Sequence, residues 1–288
     1  MIGKKKKSFI INLKHTKILA SKALRISISS TYYKNTTEVK DLELKGQVET
    51  VLVSNHYYGH KRIALALKIN KKCIRRIMKK YNLKCLTRKK KYPFKEADFN
   101  KKDTKIKNLI KRQCPIKPEV FWVTDFTYIK YKGQYFYLAT ILDIYTRQVV
   151  GINIQRVHTK ELVIGALEDA LSKYNKPLIV HSDQGSEYDS NAFKNILKQL
   201  NIKMSMSKKS SPWENGHQES FYSHFKLELG DVNKYSTFVK LIEAIYLQIY
   251  NYNNKRIHSV IKTTPTNKRK MYNKKNNNNN TKNKKLKN

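Results

Sequence analysis

The sequence predicts an α/β protein: one mixed five-stranded sheet flanked by helices, preceded by a small all-α unit. Two observations lead to this. From Val120 onward, β-branched and aromatic runs alternate first with tight turns and then with stretches of helical spacing. Before that point the chain is far more basic. Residues 1–119 hold 33 Lys+Arg against 8 Asp+Glu, a net of +25, while the remaining 169 hold 27 against 13, a net of +14.

A length of 288 residues accommodates two domains and a sizeable core. The net charge of +39 points to a polyanionic partner, with nucleic acid first, although an AT-rich genome that inflates Lys and Asn explains part of it. Cys73, Cys85 and Cys114 are odd in number and widely spaced, so no disulfide framework is expected. No stretch approaches the ~18 apolar residues of a membrane span. Lys4–Lys7 precede an apolar run that Lys14 ends too early for a signal peptide. The expected setting is the reducing cytoplasm, in association with the nucleoid.

Residues 1–86 read as a basic helical region, in which Ile18, Leu19, Leu24 and Ile28 fall roughly on one face. A helix-turn-helix is expected at about 56–81. Its first helix carries Ile63, Leu65 and Leu67, a break follows at 68–70, and Ile74, Ile77 and Met78 recur at i, i+3, i+4. The opposite face of the second helix carries Arg75, Arg76 and Lys79, candidate DNA contacts whose plainer reading is a solvated basic face. His56, His60, Cys73 and Cys85 invite a zinc reading, but eleven residues separate the cysteines where a zinc knuckle needs two to four. Residues 87–118, with Arg88–Lys91 and Pro93, Pro115 and Pro118, read as a basic linker laid on phosphates.

A core over 119–272 follows. Strands are expected at 121–129, 135–142 and 149–154, joined as an antiparallel meander through a turn at Lys132-Gly133. Then come a helix over 160–174, a strand ending at Asp183, a helix over 192–200 and a strand over 202–206. Residues 207–216 read as a polar, mobile loop, in which Lys208 and Lys209 are candidate DNA contacts. Helices are expected from Gly216 and over 238–252, and residues 273–288, nearly all Asn and Lys, as a disordered tail.

Three carboxylates stand out. Asp125 lies mid-strand on the face of Val123, Thr127 and Ile129, an unusual place for a charge. Asp183 follows a short apolar strand, at the edge where open sheets bind ligands. Glu219 and Lys226, seven apart, share a helix face distinct from the Phe221, Phe225, Leu229 stripe. Singly, each has a bland reading: a bond to a neighbouring hydroxyl, a turn cap and a solvated helix residue. Together they suit Mg²⁺, a hard ion that takes oxygen ligands, and two such ions serve phosphoryl transfer.

Trp122-x-x-Asp125-x-Thr127-Tyr128, His181-Ser182-Asp183-Gln184-Gly185-Ser186-x-Tyr188, and Glu219-Ser220 placed 35 residues after Asp183, resemble the D, D, 35, E signature of retroviral integrases and bacterial transposases. The likeness is closest to the OrfB transposase of the insertion-sequence-three family. Tyr252-Asn253-x-x-Arg256-x-His258-Ser259 is similar to its YNxxRxHS element, and Tyr58-Gly59-x-x-Arg62-Ile63 to its helix-turn-helix. The resemblance spans about residues 15–270. It departs at Glu214-Asn215-Gly216, where the family usually has Asp-Asn-Ala.

The resemblance implies an RNase-H-like fold and Mg²⁺-dependent cleavage and strand transfer at the terminal repeats of an insertion element, with Mn²⁺ as the substitute ion. It implies Asp125, Asp183 and Glu219 as catalytic metal ligands for two ions. It implies DNA contacts by Lys226, Arg256 and His258, target DNA as a second substrate, an OrfA partner or frameshift fusion, and a homo-oligomer on DNA. Two other readings compete: a same-fold nuclease that does not join strands, and a catalytically inactive DNA-binding remnant or regulator.

Overall fold

The computed structural model describes residues 36–86, 106–111, 113–208 and 211–285, with 22, 23, 25 and 27 ahead of them. The apolar face expected at Ile18–Ile28, most of the basic linker and Lys209 lie outside the described residues.

The meander is present, with longer strands than the sequence predicts: β1 (Phe121–Tyr131), β2 (Gln134–Asp143) and β3 (Val149–Gln155). Lys132 (φ 46°) and Gly133 (φ 84°) form the turn between β1 and β2. Two left-handed residues give such a hairpin the twist its strands require. From that turn the antiparallel register runs unbroken from Tyr131 opposite Gln134 to Trp122 opposite Asp143. The chain then crosses through α4 (Lys160–Leu171) to β4 (Ile179–Ser182), which lies parallel to β1. Helices α5 (Ser186–Asp189) and α6 (Asn191–Gln199) return it to β5 (Lys203–Met206), parallel to β4. The order β3-β2-β1-β4-β5, an antiparallel meander extended by two parallel strands, is RNase-H-like.

Both faces of the sheet are covered. Alternation along β1 sends Trp122 to one side, where it meets Leu162, Leu167, Phe193 and Leu197 of α4 and α6. It sends Phe121 and Val123 to the other, against α7 (Gly216–Leu229) and α8 (Phe238–Asn254). Gly151 lets α4 press onto β3, because a Cβ there would stand 2.2 Å from Ala166 O. That is an impossible contact for any other residue.

The N-terminal unit packs α1 (Thr36–Ser54) on α2 (His60–Leu67) and α3 (Lys71–Lys80) around Val48, Ile63, Ile74 and Ile77. The expected break is a left-handed Lys68 that ends α2 and an Asn70 whose side chain accepts Lys72 N at 2.9 Å. This unit touches the core through the 252–260 segment: Ile257 N donates to Tyr58 Oη at 2.7 Å, and Ile257 packs against its apolar cluster.

The C-terminus departs from expectation. The segment expected to be a disordered tail from Asn273 belongs instead to α9 (Pro265–Lys285). No apolar stripe signals this helix. Polar and cation–π contacts hold it: Arg269 bonds Gln148 and Glu119 and lies over the Tyr174 ring, and Tyr145 receives Lys268 and Tyr272. Once those first turns are fixed, each further residue adds a hydrogen bond at little nucleation cost.

Candidate active site

Asp183 is the first residue beyond β4, and the β1–β4 register decides what stands beside it. Trp122 pairs with Val180 and Val123 with His181. Carried two residues further, the same offset sets Asp125 level with Asp183 on adjacent strands, which run about 4.8 Å apart. Neither carboxylate has an ion-pair partner among the described residues; Asp125 Oδ1 accepts only Phe126 N and Asp183 Oδ1 only Gly185 N. Burial first, and then the neighbouring Asp183 charge, push the Asp125 carboxyl up to about 7. Burial likewise raises Asp183, against the Gly185 N–H bond. Two like charges side by side in a poorly solvated place favour a proton or a cation.

Helix α7 runs alongside β1, held by side chains that sequence reasoning did not single out. Buried Gln218 donates from Nε2 to Val123 O at 2.7 Å and to Thr140 O at 3.0 Å. One turn on, Tyr222 Oη donates to Asp125 O at 2.6 Å. Lys226, a further turn on, lies 4.6 Å from the Tyr128 ring centroid. Glu219 therefore rides between two anchors that flank Asp125, in the first turn of α7, where a carboxylate suits the helix dipole. Its side chain is exposed, and its charge adds to the upward push on Asp125. Among the described residues, no three His, Cys, Asp or Glu side chains stand close enough together to hold a metal ion.

The loops at this edge are fixed by polar contacts. Glu187 accepts from His158 Nδ1 at 2.6 Å and from Ser186 Oγ at 3.1 Å. Glu214, the departure from the family pattern, accepts Lys208 N and Asn108 Nδ2 at 2.8 and 2.9 Å, so the expected mobile loop is tied across its span. His181 is buried, which lowers its pKa to about 4. Ser205 Oγ accepts Leu109 N and pairs with His181 Nδ1 at 2.8 Å, which ties residue 109 to β5.

Residues 116–212 match the family model described as Integrase core domain, and residues 200–265 match a second model of the same description. An uncharacterized transposase-like protein of Haemophilus influenzae is 30% identical over 207 residues, which are 70% of this chain and 94% of that protein. The insertion element IS600 uncharacterized 31 kDa protein of Shigella sonnei is 31% identical over 231 residues, 76% of this chain and 84% of that one. The chain belongs to the insertion-sequence transposases. The putative transposase InsK for insertion sequence element IS150 of Escherichia coli is 28% identical over 77% of this chain and 81% of its own. With an integrase core and these relatives, this is an OrfB transposase of the insertion-sequence-three type, and its function is DNA transposition. The HTLV-2 integrase catalytic core domain in complex with magnesium (trimeric form) superposes with a TM-score of 0.46 at 23% identity, covering 54% of this chain and 98% of that one.

The expected DNA contacts of the transposase fall into distinct settings. Lys226, Lys208, Arg75 and Lys79 are exposed. Arg76 is engaged, with both terminal nitrogens on Asp41 of α1 at 2.7 and 2.5 Å. Arg256 is buried and its Nε donates to Glu228 at 2.6 Å. His258 is half-buried and pairs backbone to backbone with Thr263.

Proposed function

We propose that this transposase cleaves and joins DNA at element ends through Asp125, Asp183 and Glu219, which together hold two Mg²⁺ ions. The observation that carries the reading is the adjacent pair Asp125–Asp183, half-buried, without an ion-pair partner among the described residues and biased toward holding a proton. That donor set, all oxygen and uncompensated, fits a hard divalent cation. When bound, Mg²⁺ supplies charge stabilisation and Lewis-acid polarisation of the phosphoryl oxygens.

The chain's own residues do the remaining work. Asp125 and Asp183 are presented on adjacent strands of the rigid sheet. Glu219 is the movable third ligand, on a helix whose level is set by Gln218 and Tyr222, and rotation of its side chain brings it inward. Lys226 on the same flank neutralises a DNA phosphate beside the acids. Water is the first nucleophile and frees a 3′-hydroxyl, which then attacks a second phosphodiester in line. The α2–α3 unit binds the terminal repeat through Arg75 and Lys79, an OrfA partner completes end recognition, and the assembly on DNA is oligomeric.

The test is a cleavage and joining assay on terminal-repeat duplexes with Mg²⁺, with and without OrfA, on wild type and Asp183→Asn. Joined products from wild type and none from a variant that still binds DNA are expected. Retained Mg²⁺-dependent cleavage by Asp183→Asn removes that residue from the site, and nicks without joined strands reduce the activity to hydrolysis.

A further inference from the structure

Helix α7 divides two polar regions. At 100° per residue, Glu219 and Lys226 share one flank, while His217 and His224 share another well round the helix. That second flank lines a cleft of about 250 Å³, closed on its far side by Arg147, Arg256, His258 and Val260.

The cleft holds guanidinium groups in excess of their counterions. Arg147 and Arg256 line it with Asp143, and Arg62 shares Glu228 with Arg256 behind the lining, so the group carries one positive charge over. Both oxygens of Asp143 are already engaged: Oδ1 accepts Thr146 N and Oγ1, and Oδ2 accepts Glu119 N. Glu228 takes Arg256 Nε and Gln248 Nε2. Arg147 makes no ion pair with any described residue and meets only the ring of His217. Two buried donors have no partner among the described residues, Nε of Arg147 and Nη2 of Arg256, and Arg256 is 5% exposed. An unpaired N–H on a buried cation is costly, and an incoming oxyanion relieves it.

We infer that this cleft is a second DNA site, which takes one backbone phosphate on Arg147 and Arg256 at the flank of α7 opposite the acidic residues. A phosphodiester carries the single negative charge that the cleft lacks. Guanidinium donors suit its paired oxygens better than ammonium would. The inference shares with the proposed function only the premise that DNA is the polyanion, and it requires neither metal nor cleavage. It also gives Arg256 a role consistent with its burial: Glu228 holds Nε, and the neighbouring Nη2 is left for the ligand.

The experiment is DNA binding by the full chain, followed with a fluorescently labelled duplex across a salt series in EDTA, so that the acidic site plays no part. Arg147→Asn keeps a residue that tolerates the left-handed backbone at this position (φ 62°). Val260→Glu sets a carboxylate at the exposed rim without disturbing packing. Each variant should weaken binding about three- to tenfold near 0.1 M salt and flatten the log Kd against log salt slope by about 0.9. If both unfold at the wild-type temperature and bind with the wild-type affinity and slope, the inference is overturned. Should Arg147→Asn fail to fold, Val260→Glu decides by the same criterion. A parallel thermal-shift series with inorganic phosphate distinguishes the sources of the anion. Stabilisation of wild type by phosphate that the variants lose, with their DNA slopes unchanged, assigns the cleft to free phosphate and overturns the DNA site.

Discussion

Asp41 is buried and Asp125 half-buried, and the chain treats the two in opposite ways. Asp41 on α1 is 3% exposed and meets Arg76 and Lys80 at 2.5 and 2.8 Å. Those hydrogen bonds hold its carboxyl well below the usual carboxylate range. Among the described residues Asp125 on β1 meets no cation at ion-pair distance, and burial, then the Asp183 charge, drive its carboxyl upward. Lys226 of α7 opposes that push without overcoming it. The lesson is that a compensated acid holds a fold together, while an uncompensated pair is a site for something that arrives.

The sharpest way to break this comparison is Asp183→Asn. Cleavage and joining should fall by more than about a thousandfold, ~4 kcal/mol of transition-state stabilisation, while duplex binding is kept. Residual activity near wild type would make Asp183 no more special than Asp41.

Stability should respond in the reverse sense at the other member of the pair. In metal-free buffer, Asp125→Asn should stabilise the protein by about 1–3 kcal/mol at pH 8, and by much less at pH 5, in urea unfolding. The sign follows from a folded pKa of about 7: the folded state keeps the proton to higher pH, so wild type loses stability as pH rises from ~4 to 7. Equal effects at both pH values would show that the carboxyl is not perturbed. For the same reason Mg²⁺ should raise the wild-type Tm more at pH 8 than at pH 5.5, where Asp125 must first release a proton. Asp183→Asn should erase that increment.

Gln218→Leu tests the support rather than the ligands. Losing its bonds to Val123 O and Thr140 O should cost about 1–3 kcal/mol and slow cleavage by displacing Glu219, with duplex affinity unchanged. Asp41→Asn should give the smallest effect and only in the fold: a lower urea midpoint at pH 6 that converges with wild type under acid. Here the folded pKa is depressed, so the stabilisation is complete above the unfolded value of ~3.9 and fades as pH falls below it.

Much of this arrangement can be read from the residues alone. The hairpin at Lys132-Gly133, the meander and the strand that delivers Asp183 follow from alternation and turn chemistry, which are local. Other features leave no local trace. Gln218 and Tyr222 look like ordinary polar and aromatic residues beside the apolar stripe of α7, and their worth lies in β1 and β2 carbonyls about eighty to a hundred positions away. Helix α9 escapes composition because arginine and lysine stacked on tyrosine, not an apolar face, hold its start. That Glu228 lies against Arg256 leaves no trace in the sequence either.

The order of helices and strands and the basic character of the N-terminal region were set by short-range pattern, because periodicity and turn preference act over a few residues, while the three acids stood out in the sequence only as a set. Tertiary structure alone decided that Asp125 stands level with Asp183, that Glu219 is carried past them on a helix anchored to the sheet, and that Arg147 and Arg256 keep unpartnered donors in one cleft. These depend on strand register and on which side chains exclude water together. Both are properties of contacts between segments remote in the chain, and no local pattern encodes them.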